Sequence, residues 1–163
     1  MKQSLILLFA VLSIQYSLKA QEVTSTYKNA IGIKALPGGF TFKHFISDKT
    51  AVEALAYFDH ETTRITGLYE LHYDLGTSLE GLNWYMGGGA HIGNWTNVYK
   101  GRNPNRTNNS TLGVGVDGVI GVDYKVDALP INIGVDWQPS LNLIGYTYYE
   151  GLTWGGVAIR YTF

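Results

Sequence analysis

Thr153 to Phe163 reads T-W-G-G-V-A-I-R-Y-T-F, and the phase of this stretch decides the fold. Val157, Ile159, Tyr161 and Phe163 share one face, and Gly156, Ala158, Arg160 and Thr162 share the other. That two-residue period belongs to a strand, not to the 3.6-residue turn of a helix. An apolar strand of this kind left at an open edge invites pairing with other chains. Its edge is therefore expected to close against the first strand of the same chain, which makes a barrel.

The same period recurs upstream. It predicts strands over Asn29–Ala35, Phe40–Ile46, Ala51–Phe58, Arg64–Leu75, Leu82–Asn94, Leu112–Val126 and a seventh from Ile131 to about Leu143, with the closing stretch as the eighth. Pro139 has no amide hydrogen, so a bend or bulge is expected within the seventh. The fold class expected is all-β, an eight-stranded antiparallel up-and-down transmembrane β-barrel over residues 21–163. An even strand number brings both termini to one end. The two longest connections, Trp95–Thr111 and Gly145–Leu152, then fall on the opposite rim.

Residues 1–20 carry the layout of a secretory signal peptide: Lys2, an apolar run from Leu5 to about Leu12, and Leu18-Lys19-Ala20 before the expected cut. Taking Lys2 and Lys19 from the twelve basic residues leaves ten against thirteen acidic ones. Without a basic excess no nucleic-acid partner is expected. The chain has no cysteine, so no disulfide contributes. No apolar run after the signal reaches the length of a membrane-spanning helix, so spanning would fall to strands.

Alternation does not say which face points inward. A soluble lipocalin-like barrel would line a ligand cavity with the apolar face. The opposite face here carries Gly32, Gly87, Gly89, Gly113, Gly115, Gly121, Gly134 and Gly156 with a limited set of charges. Small residues and opposite charges suit a narrow lumen. The expected lumenal charge network comprises Lys34, Lys43, Glu53, Glu70, His72, Asp117, Asp136 and Arg160, with Asp123 and Lys125 nearer the mouth at the end of the termini. Charges confined in a small barrel must pair, so the network is expected to plug it. Tyr69, Tyr73, Trp84, Tyr124, Trp137, Tyr161 and Phe163 are expected to form belts at two membrane interfaces.

Four segments carry a resemblance: G-G-F-T-F-K-H-F-I (Gly38–Ile46), G-V-G-V-D-G-V-I-G-V-D-Y-K-V (Gly113–Val126), P-I-N-I-G-V-D-W-Q-P-S-L-N-L (Pro130–Leu143) and the closing G-G-V-A-I-R-Y-T-F. The chain resembles the small eight-stranded bacterial outer-membrane β-barrel proteins, the OmpA transmembrane domain and OmpW-like group. The resemblance implies a place in the bacterial outer membrane and contact with its lipid. It also implies that Tyr161 and Phe163 form the signal read by the barrel-assembly machinery, although Ala158 stands where that signal prefers glycine. About activity it implies little, because one barrel hosts anchors, channels and lipid-modifying enzymes.

Motifs with chemistry are few. Gly113-x-Gly115-x-x-Gly118 matches the dinucleotide fingerprint in letters, but that motif needs a helix to open where this segment continues as a strand. His44, His60, His72 and His91 lack zinc spacing, and neither metal nor cofactor is expected. A lipid A deacylase of the barrel type would carry His and Ser two residues apart on a strand, and no such pair occurs. The expectation is a non-catalytic outer-membrane protein with a structural role, a surface-loop role in which an extracellular ligand would be the partner, or limited passage of small solutes. A secreted ligand-binding barrel and a barrel-type lipid A modifying enzyme are the alternatives.

Overall fold

A computed structural model describes residues 26–36, 38–58, 62–77, 79–95, 111–145 and 155–163. The expected signal peptide and most of the two long connections lie outside these residues. Among the described residues are nine stretches of strand: β1 (Asn29–Ala35), β2 (Gly39–Ser47), β3 (Thr50–Phe58), β4 (Thr62–Asp74), β5 (Leu82–Trp95), β6 (Thr111–Lys125), β7 (Ile131–Trp137), β8 (Ser140–Ile144) and β9 (Gly155–Thr162). Each pairs antiparallel with its neighbours. β1 pairs with β9, and β5 pairs with β6, so the sheet closes on itself. Asn29 and Phe163 exchange two backbone hydrogen bonds of 2.9 Å at the terminal end of the seam. Among the described residues no helix is long and apolar enough to cross a membrane.

β7 and β8 are one stave of the barrel, which makes eight. Ile120 pairs with Trp137 and Asp117 with Ser140, one unbroken register across Gln138 and Pro139. Pro139 therefore interrupts the ladder without adding a residue to it, and its carbonyl still accepts from Gly118 at 2.9 Å. Of the bend or bulge expected at the proline, no bulge is present: the strand breaks between Trp137 and Ser140 without a change of register. The irregularity sits further along, where the register shifts between Val114 and Gly115. Because the phase is kept, Asp136, Gln138, Ser140 and Asn142 all point inward.

The apolar face is outside. Ile33, Phe40, Ile65, Val116, Ile120 and Ile159 are each 44–63% exposed on the outer wall. The interior holds the ionisable residues and a small apolar group of Leu55, Tyr57, Leu68, Tyr85 and Val119. This excludes the apolar-lined cavity of a lipocalin-like barrel. Outward aromatics gather at the terminal end, where Tyr73 stacks on its cross-strand partner Trp84 at 4.7 Å and Tyr161 on Phe163 at 6.2 Å. At the opposite rim, Phe40 meets Phe58 edge to face. Tyr69 stands between Val52 and Gly88 on the neighbouring strands, and Trp137 beside Gly155 at the start of β9.

Glycines on the inner face do more than leave room in the lumen. A Cβ at Gly89 would strike the Gly67 carbonyl oxygen and lie 2.9 Å from Leu68 Cα, so it is backbone approach that requires the hydrogen. At Gly67, on the outer wall, a Cβ meets nothing within 4 Å. Gly89→Ala is expected to cost about 1–3 kcal/mol, the range of overpacking a tight site. Gly67→Ala is expected to be neutral or to stabilise by less than about 1 kcal/mol. Denaturant midpoints of the two variants, which share a strand pair, check the contrast.

Candidate functional site: the charged lumen

Strand phase carries the charges inward, and the register sets their heights. At the end that holds the termini lies a lower layer of Lys43 on β2, Glu53 on β3, Glu70 and His72 on β4, Asp123 on β6 and Arg160 on β9. All six are at least 97% buried. Arg160 Nη2 is 2.5 Å from Glu53 Oε1. Its Nε donates to Thr41 Oγ1 at 3.0 Å and its Nη1 to Asn132 Oδ1 at 3.1 Å. Thr41 donates to the same Glu53 oxygen. The guanidinium is thereby held on three sides, which its planar fork of donors permits and an ammonium could not match.

Lys43 is the hub of the rest. Its Nζ lies 2.8 Å from Glu70 Oε2, 3.7 Å from Glu53 Oε2 and 3.7 Å from Asp123 Oδ2. The Tyr85 ring closes the cage, its centroid 4.2 Å from the ammonium. The geometry is ionic and not hydrogen-bonded, since the ammonium makes no well-directed hydrogen bond. His72 Nε2 is 3.0 Å from Glu70 Oε2, and its ring stacks on Tyr85 at 4.9 Å. Three carboxylates thus face two permanent cations in this layer.

Higher up, Lys34 on β1 pairs with Asp136 on β7, its Nζ 2.6 and 2.7 Å from the two oxygens. Tyr85 donates to Asp136 Oδ2 at 2.8 Å, and Tyr57 to Gln138 Oε1 at 2.8 Å. An upper layer centres on Asp117 on β6. Arg64 pairs with its Oδ1. Ser140 donates to the same oxygen at 2.5 Å, and His91 Nδ1 lies 2.8 Å from Oδ2. His91 Nε2 faces Asn142 Oδ1 at 2.8 Å. Ser140, Asp117 and His91 are the three residue types of a hydrolase, but here the carboxylate stands between the hydroxyl and the imidazole. The hydroxyl donates to Asp117, which is not the hydroxyl-to-imidazole bond that activates a serine.

The eight residues singled out from the sequence are all buried, but they do not form one cluster. Lys43, Glu53, Glu70, His72 and Arg160 meet in the lower layer, Lys34 and Asp136 pair above them, and Asp117 is apart in the upper layer. Asp123, expected nearer the mouth, belongs to the lower layer. Lys125 does lie at the rim, where its ammonium donates to the Val126 and Leu129 carbonyls at 2.9 and 2.7 Å and ties down the turn. Arg64 was not in the expected set, although the inward phase of Thr66, Leu68 and Glu70 extends to it one period earlier. Asp74, in phase with His72, is exposed and accepts from Gly76 N at 2.7 Å in a local turn. Tyr161 and Phe163 project outward from the seam at the terminal end. Among the described residues, no group of three or more histidine and acidic side chains is placed to hold a metal ion.

No protein-family model and no curated protein sequence matches the chain. Among solved structures, it is similar to the N-terminal β-barrel domain of Pseudomonas aeruginosa OprF, with a TM-score of 0.60 and 16% identity. The match covers 85% of this chain and all of that one. At this identity the likeness is one of fold: a closed, eight-stranded, antiparallel barrel.

Proposed function

We propose that this chain is an integral protein of the bacterial outer membrane, without catalytic activity, whose lumen is sealed by its own ion pairs. The observation that carries this reading is the inside-out distribution of side chains. Isoleucines and valines cover the wall, while four permanent cations and five carboxylates are enclosed. Water on that wall would leave an apolar surface far larger than soluble monomers expose. Hydrocarbon removes the cost, and an eight-stranded barrel has an interior just wide enough for its side chains to fill. The fold likeness to the OprF β-barrel domain fits the same reading. The outward Tyr161 and Phe163 suit recognition by the barrel-assembly machinery. The work of the protein is then structural, or is done by the connections between Trp95 and Thr111 and between Gly145 and Gly155, whose flanking strand ends are at the rim opposite the termini, with an extracellular ligand as their partner.

Fractionation and planar-bilayer recording test this together. The protein is expected in the outer-membrane fraction, with heat-modifiable migration in detergent gels, and to give no sustained current when reconstituted. Sustained unitary currents would remove the sealed lumen and leave a small-solute channel. Recovery in the soluble fraction without detergent would remove the membrane reading itself.

A further inference from the structure

Tyr27 lies on the short segment, residues 26–28, that leads into β1 at the terminal end of the barrel. Its ring meets Phe45 edge to face, with centroids 5.2 Å apart. Phe45 in turn lies 4.8 Å from His72, and His72 stacks on Tyr85, over which the Lys43 ammonium sits. A column of rings therefore runs from the mouth into the lower ionic layer, with Tyr27 outermost. Two hollows of about 400 and 320 Å³ open at this rim, one beside Ile46 and Asp48, the other beside Leu129 and Phe163. Both are also lined by Thr26 and Tyr27, so the segment crosses the mouth like a bar and does not lie in the wall.

The bar is lightly held. Among the described residues its backbone is tied by the Lys28 carbonyl, which accepts from Phe45 N at 2.9 Å. The Tyr27 hydroxyl is enclosed and makes no hydrogen bond, as is also true of Asp123 Oδ2 in the layer above. Burial, and then the Asp123 charge, push the Tyr27 phenol far above its usual range, so it stays neutral. A ring kept in place by contact area and one backbone bond is the kind of element that opens locally while the rest of the fold stays intact.

We infer that Tyr27 is a removable stopper: seated on Phe45 it shuts the terminal mouth of the lumen, and when it swings out it admits water and small solutes to the lower ionic layer. The upper layer is unaffected, so an open stopper gives a blind chamber and not a channel.

The absence of cysteine allows single thiols to report access. A cysteine is placed at Ala51, an inward and fully enclosed position paired with Phe45 on the next strand, and its reaction with a charged methanethiosulfonate reagent is timed in the folded protein. Tyr27→Ala is expected to raise the rate at least about tenfold, since one ring contact and its buried area set the opening equilibrium. Tyr27→Phe is expected to leave it unchanged, because the hydroxyl has no partner. A cysteine at Ser140 in the upper layer is expected to react at the same rate with and without Tyr27. Equal rates at Ala51 in the Tyr27 and Tyr27→Ala forms, or acceleration at both sites, would overturn the stopper. Should Tyr27→Ala not fold, Tyr27→Leu keeps apolar bulk without the ring and is expected to give an intermediate rate; a parental rate there overturns the proposal equally. The outcome is independent of bilayer conductance, which reads the seal above.

Discussion

Arg160→Ala is expected to lower the unfolding free energy by about 3–5 kcal/mol, the cost of leaving a buried charge without its partner. Arg160 holds Glu53 at 2.5 Å and donates in addition to Thr41 and Asn132. Without it, the lower layer keeps three carboxylates and one permanent cation, Lys43, whose ammonium is 3.7 Å from the other Glu53 oxygen. Arg160→Lys is expected to recover little, because a point charge cannot reach Glu53, Thr41 and Asn132 together. Arg160→Met combined with Glu53→Gln is expected to recover much of the loss, since no orphaned charge remains. Urea unfolding in detergent micelles, followed by tryptophan fluorescence, reads all three. A change for Arg160→Ala within about 1 kcal/mol, the worth of a solvated surface pair, would mean that water reaches the layer, and the sealed lumen would be wrong.

Val116→Arg tests the wall. Val116 lies on the outer face midway along β6, in line with Ala90 and Leu141 on the neighbouring staves. If hydrocarbon covers it, an arginine there is expected to cost about 2–4 kcal/mol in lipid vesicles, falling to about 0–1 near an interface. Leu129→Arg, in the exposed turn at the terminal rim, supplies the interfacial comparison and is expected to cost at most about 1 kcal/mol. On a water-facing wall both substitutions would fall within about 0.5 kcal/mol of the parent. Equal, small effects at the two positions would therefore end the membrane reading whatever the fold.

Strand positions were legible because each was written with a period of two over many residues. β1 runs from Asn29 to Ala35 as the alternation implied, and the others differ by one or two residues at their ends, where pairing is decided by neighbours. Pro139 shows the limit. Its missing donor was visible in the sequence, but whether the partner strand gained a residue there was not, and the register runs straight through. Arg64 shows another. It shares the inward phase of Thr66 and Glu70 but stands near the start of β4, where the sequence marks a boundary, and its Asp117 partner is set by closure of the sheet. The inner glycines were read as space for the lumen, whereas at Gly89 the neighbouring backbone is what excludes a side chain.

By itself the sequence determined that the chain forms strands, that there are enough of them to close, and which side chains share a face, because a pleated backbone turns alternate residues to opposite sides whatever surrounds it. Only the tertiary structure decided that the apolar face is outermost, which carboxylate meets which cation, and that Tyr27 lies across the mouth. Those contacts join residues as far apart in sequence as Glu53 and Arg160. Their distances depend on register and closure around the whole barrel, which no local pattern encodes.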